Sequence, residues 1–143
     1  MQNILKTIAT DRSLKKLLRY LEIAGLADAL SGAGPFTLFA PDDDAFARTN
    51  VEENFGGMEG LRSTLSYHLV RGRHAGNDLA ALRVLKLRTE NGKSLSLTQD
   101  EGEVVVDNAR LLRRDLECSN GVVHVVDNVF QPQLSGWYGD EYG

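Results

Sequence analysis

The spacing of apolar residues changes once along this chain, and that change constrains the fold more than any other feature. Between Ile4 and Leu21 they recur at three- and four-residue intervals. Ile4, Leu5 and Ile8 come first, then Leu14, Leu17, Leu18 and Leu21, with Ile23 continuing the series. This is the repeat of an amphipathic helix, and Lys15, Lys16 and Arg19 fall on its solvated face. Asp11 or Ser13 suits its N-cap and Gly25 its stop. Leu26 to Leu30 makes a further short turn. From Val84 the period drops to two. Leu85 and Leu87 alternate with Lys86 and Arg88, and Leu95 and Leu97 with Ser94, Ser96 and Thr98. Such alternation marks strands with one buried and one wet face. Asn91-Gly92, Asp100-Glu101-Gly102 and Asn120-Gly121 read as turns. Further strands are expected at Val104–Val106, Leu111–Leu116 and Val122–Val126, the last apolar on both faces and therefore central.

The two regimes meet at Phe36–Ala40, an alternating, aromatic-rich strand. Pro41 breaks it. Asp42, Asp43 and Asp44 follow, and Ala45-Phe46-Ala47 begins a helix whose free N–H groups those carboxylates satisfy. Gly56-Gly57 marks a turn, and Leu61, Leu65 and Leu69 recur every four residues. Helices come first and strands follow as an antiparallel meander, with no strand–helix–strand alternation. The class is α+β, not α/β. The 143 residues make one domain, expected over 1–134, with 135–143 a flexible tail.

Composition excludes several functions. One cysteine, Cys118, forms no intrachain disulfide and no cysteine-based zinc site. A formal net charge of −4 disfavours non-specific nucleic-acid binding, which depends on Lys and Arg. No window approaches the roughly 20 apolar residues of a membrane span. Met1 to Leu14 lacks the apolar core of a signal peptide. The chain is therefore read as a cytosolic protein or as a mature fragment behind an added Met.

Cys118, His124 and Asp127 have the residue types of a nucleophilic site, but no helix N-terminus or local signature accompanies the thiol. Asp42, Asp44 and Glu53 fall at positions 1, 3 and 12 of a calcium loop, yet Phe46 and Ala47 stand where an oxygen ligand and glycine are needed. His68, His74 and His124 lack the helical spacing of a zinc site. Gly32-Ala33-Gly34 lacks a third glycine and precedes a strand, unlike a dinucleotide fingerprint. No catalytic residue, metal or cofactor is expected. Charge is uneven, however. Arg71, Arg73, Arg83, Lys86, Arg88 and Lys93 outnumber Asp78 and Glu90 in their stretch, whereas residues 42–60 are acidic. Such polarity is able to steer an acidic partner.

Three stretches, in order, resemble fasciclin-type domains. Phe36-Thr-Leu-Phe-Ala-Pro-Asp-Asp-Asp-Ala-Phe46 resembles the family's first signature, and Tyr67-His68-Leu69-Val70 its central Tyr-His motif. Asn120-Gly-Val-Val-His-Val-Val-Asp127 resembles the second signature. Val106-Asp107-Asn108 and Arg114-Asp115-Leu116 fit the pattern between, so that the match runs from Asn3 to Pro132. The resemblance implies a wedge of two small, mainly antiparallel β-sheets with N-terminal and connecting helices. It also implies a secreted or cell-surface, non-enzymatic module that adheres through protein or polysaccharide contacts. In animal relatives the Tyr-His region is implicated in integrin-dependent adhesion. Here Leu65, Leu69 and Val70 surround the pair, which favours a core role. Asp115-Leu116 is similar to the Asp-Ile of an adhesion motif, but Arg113-Arg114 departs from the residues that precede it there.

The candidate partner-binding residues are therefore Tyr67, His68, Lys86, Arg88, Asp115 and Leu116. Thr37, Phe39, Pro41, Asp42, Asn120, Gly121, His124 and Asp127 are read as structural. The alternative function is an intracellular structural subunit docking onto a larger protein complex, which the missing signal peptide favours.

Overall fold

The computed structural model describes residues 1–49, 57–81 and 86–132. The expected strand start at Val84-Leu85, the turn at Gly56, Glu53 and the 135–143 tail lie outside the described residues. The helices are α1 (Ile4–Thr10), α2 (Lys15–Ile23), α3 (Ala27–Leu30), α4 (Asp43–Arg48), α5 (Gly57–Ser66) and α6 (Gly76–Ala80). The strands are β1 (Phe36–Pro41), β2 (Leu69–Arg71), β3 (Lys86–Arg88), β4 (Ser94–Asp100), β5 (Glu103–Val106), β6 (Ala109–Cys118) and β7 (Gly121–Val126).

The strands pair in the order β2-β1-β7-β6-β5-β4-β3. Every neighbouring pair is antiparallel except β1 and β7, which run parallel with Phe36 opposite Gly121 and Pro41 opposite Val126. The fold is thus α+β with mainly antiparallel strands, as expected. The parallel pair corrects a pure meander, and it explains why β7 is buried at all six positions. A single bridge between Val70 and Thr89 brings the two ends of the sheet together.

β6 is shared by two halves. Its N-terminal end pairs with both β5 and β7, its C-terminal end with β7 alone. Register shifts between Leu111 and Arg113 and between Arg113 and Leu116 accompany the change, since bulges bend a strand and sharpen its twist. Each half has its own core. In one, Ile4, Ile8, Leu14, Leu17 and Leu21 pack on Phe36, Leu38, Val123 and Val125. In the other, Phe39, Tyr67 and Phe130 pack with Leu95, Leu97, Val104 and Val106. Successive residues of β1 and β7 point to opposite sides, and so serve both cores.

Four local readings are corrected. Pro41 closes β1 rather than breaking it earlier, and α4 begins at Asp43 rather than Ala45. The N-cap of α2 is Leu14, without a side-chain bond. Asp11 instead accepts from the Ser13 backbone N–H at 2.9 Å and from Arg113. Ile23 is 46% exposed, because it lies off the buried stripe. By contrast Asp42 caps α4 as expected, with Oδ1 accepting from the Ala45 N–H at 2.8 Å.

The Asn120-Gly121 turn ties the chain's distant parts together. Asn120 Oδ1 accepts from the Ile4 N–H at 2.9 Å. Its Nδ2 donates to the carbonyls of Leu30 and Gly32, each at 2.8 Å. Gly121 passes so close to β1 that a Cβ would lie 2.0 Å from the Phe36 carbonyl oxygen. Only glycine lets the two backbones approach this way.

Candidate partner-binding groove

The closure of the sheet sets up the site. Because Val70 bridges Thr89 in antiparallel register, Arg71 faces Arg88 across the seam and Leu69 faces Glu90. The Glu90 N–H donates to the Leu69 carbonyl at 2.8 Å, in keeping with that register. Lys86 and Arg88 alternate with buried Leu87, so both point outward. A groove of about 550 Å³ follows the seam, rimmed by Arg71, His74, Lys86, Arg88, Thr89 and Glu90. Its floor comes from Val70 and Leu87, which are 2% and 3% exposed.

The charges of the rim are unequally compensated. Arg71 Nε lies 2.6 Å from Glu90 Oε1, and its guanidinium sits 5.9 Å from the centre of the Phe36 ring. That ion pair is exposed and worth at most about 1 kcal/mol. Arg88 has no carboxylate partner among the described residues. Arg73 is turned away, donating to the Gly121 carbonyl at 2.7 Å and pairing with Glu117.

His74 is carried by a loop that the signature residues hold. The Thr37 hydroxyl donates to the Gly72 carbonyl and accepts from the His74 N–H, both at 2.8 Å. His124 Nε2–H donates to the His74 carbonyl at 2.8 Å, and Nδ1 accepts from the Asp115 N–H at 3.2 Å. This pair of bonds requires the neutral ring with its proton on Nε2. Burial holds the His124 pKa below the ordinary histidine value, against the pull of the His74 carbonyl and of Asp115. Asp115 has φ of +61° and Oδ1 accepts from the Gly76 N–H at 2.8 Å, at the start of α6.

The remaining predicted residues are spoken for. Tyr67 and His68 are both 0% exposed. The Tyr67 hydroxyl donates to Asp107 Oδ2 at 2.6 Å. His68 Nδ1–H donates to the Thr64 carbonyl at 2.7 Å, and Nε2 accepts from the Phe130 N–H at 3.0 Å. Burial pushes the His68 pKa down to about 4. Neither ring offers surface to a partner in this conformation. Leu116 packs, half-buried, against the helical core. The six candidates thus fall in three places. Lys86 and Arg88 lie on the groove, Asp115 and Leu116 on β6 behind the 72–76 loop, and Tyr67 and His68 inside.

Cys118, His124 and Asp127 do not act on one another. Cys118 donates to Leu116 and Thr7, whereas Asp127 Oδ1 accepts from the Arg110 N–H at 2.8 Å. Among the described residues no set of three His, Cys, Asp or Glu side chains is placed to hold a metal ion. Arg71, His74 and Glu90 were absent from the sequence-based set. The signal for Arg71 was present, since Leu69-Val70-Arg71 runs apolar to charged beyond the Tyr-His pair, but three residues are too few to establish a strand.

Comparison with known proteins decides the family. The family profile described as Fasciclin domain matches residues 12–132. The chain belongs to the fasciclin domain family. This fasciclin domain is 34% identical over 135 residues to the protein sll1735 of Synechocystis sp., covering 90% of this chain and 97% of that one. It is 30% identical over 125 residues to human periostin, covering 85% of this chain but 15% of periostin. Among solved structures, the FAS1 domain pair of the insect cell adhesion molecule fasciclin I matches 92% of this chain and 52% of that one, with a TM-score of 0.75 at 20% identity. This last likeness establishes the fold. No helix among the described residues is long and apolar enough to cross a membrane.

Proposed function

We propose that this fasciclin domain is a non-enzymatic adhesion module that holds an acidic partner, protein or polysaccharide, in the groove between β2 and β3 at a cell surface. The observation that carries this reading is the placement of Arg71, Lys86 and Arg88 on one outward face of the seam. The family's signature side chains support it indirectly. Thr37, His124 and Asp115 fix the loop that brings His74 to the rim, while Tyr67, His68 and Asp127 complete internal hydrogen bonds. Each of these side chains is engaged within the fold. The cell adhesion molecule fasciclin I, with the same fold, supports the adhesive role.

The test combines place and charge. Protease shaving of intact source cells should remove the native protein, and washed cells should rebind the purified chain. The double variant Lys86→Glu, Arg88→Glu should rebind poorly. Recovery only from cytosol, in one heavy complex, would instead make the chain a subunit of that complex.

A further inference from the structure

We infer that the occupant of the β2–β3 groove is a sulfated polysaccharide, gripped between the guanidinium groups of Arg71 and Arg88 with Lys86 alongside. This rests on the groove being the partner site. Four features of the rim lead to the class of ligand.

The first is the cross-strand pair itself. Arg71 and Arg88 face one another through the Val70–Thr89 register, and like charges placed directly opposite destabilise a sheet. An anion seated between them removes that repulsion.

The second is the spacing of the cations. Lys86 and Arg88 are two residues apart on the same face of β3, hence roughly 6.6 Å along the strand, and Arg71 is roughly 5 Å across it. Among the described residues of the rim, three cations spread over such a face with one carboxylate, Glu90, and this spread matches a succession of single charges better than one compact anion. A chain carrying a sulfate ester on successive units presents that succession. The third is the fit of each head. A guanidinium donates two parallel N–H groups, and a sulfate ester offers three equivalent oxygens to receive them.

The fourth feature argues against a protein partner. Protein interfaces are anchored by aromatic or aliphatic side chains buried in pockets. Here the apolar residues of the groove, Val70 and Leu87, are already 2% and 3% exposed, and Phe36 lies beneath Arg71 at 7%. Recognition is left to charge. Among the described residues of the rim Glu90 is the unfavourable group, and its pairing with Arg71 tempers the groove.

The experiment is titration of the full-length chain with heparin, with chemically desulfated heparin and with poly-glutamate, at several salt concentrations. Heparin should bind, and desulfation should weaken it at least about tenfold. Arg88→Gln and Arg71→Gln should each lose about tenfold, the usual worth of one charged hydrogen-bonding contact. Each should also lower the slope of log K against log salt by about one. Glu90→Gln should tighten binding, an effect no loss of folding produces. Equal binding of desulfated heparin would overturn the inference. So would preferential binding of poly-glutamate, abolished by Lys86→Glu with Arg88→Glu, though the groove would then stand with an acidic peptide as its occupant. Probes that all ignore that double variant would remove the groove itself.

Discussion

The ring of His68 lies stacked on that of Phe130, with centroids 4.4 Å apart and planes 8° from parallel, while the Phe130 N–H donates into His68 Nε2. This contact fastens the segment after β7 to the core. It requires a neutral imidazole, because a second ring proton would point at the Phe130 N–H.

Acid should therefore loosen the domain through His68. Its pKa is about 4 in the fold, against 6.5 for the free side chain. Its contribution is complete above pH 6.5 and is lost as pH falls from there through about 4, because the unfolded chain takes up the proton first. The loss reaches roughly 3 kcal/mol. Urea denaturation at pH 7.5 and at pH 4.5 checks this. His68→Gln should be less stable at pH 7.5, and its stability should fall less between the two. An equal fall in both proteins would show that the acid sensitivity resides elsewhere.

Asn120→Ala should destabilise by roughly 2–4 kcal/mol, since it leaves the Ile4 N–H and the Leu30 carbonyl without their buried partner. Asn120→Asp should be as damaging, because a carboxylate cannot donate to the Leu30 and Gly32 carbonyls. Chemical denaturation measures both. A change below about 0.5 kcal/mol, the range of ordinary surface substitutions, would mean that the turn holds without this side chain.

Two glycines separate close approach from backbone conformation. Gly121→Ala should prevent folding or cost at least about 3 kcal/mol, since its Cβ would meet the Phe36 carbonyl at 2.0 Å. Gly92 has φ of +100° but no atom within 4 Å of an added Cβ. Gly92→Ala should cost only the turn strain, about 1–2 kcal/mol. Thermal melts of the two variants rank them, and equal melting points would contradict the crowding at Gly121.

Asp115 should behave as a helix cap in trans. Asp115→Ala should cost about 1 kcal/mol and speed amide hydrogen exchange at Gly76, whose N–H it receives. Unchanged exchange at Gly76 would release Asp115 from this role and return it to the surface candidates.

Much of this was legible in the sequence because it is local. The three-four spacing of Leu14, Leu17 and Leu21 gives α2, and the alternation around Leu95 and Leu97 gives β4. Asp42 could be read as a cap from its place after a strand and before Ala45. What was hidden is non-local. Nothing near Phe36 shows that it will lie beside Gly121 in parallel. The groove depends on β2 meeting the β3–β4 hairpin, two elements joined by a single bridge. Arg71 and Arg88 are 17 positions apart, so their opposition appears only when the sheet closes. The core role of Tyr67 and His68 was legible from Leu65, Leu69 and Val70 around them, whereas their packing against Phe130 was not.

The groove's role is tested most directly by one measurement. The affinity of the full-length chain for heparin should be compared with that of the Lys86→Glu, Arg88→Glu variant under the same salt. Both side chains are exposed, so the variant should fold, which a cooperative melting transition checks. The expected loss is about a hundredfold, two charged contacts at about tenfold each. An unchanged affinity in a variant that melts normally would contradict it.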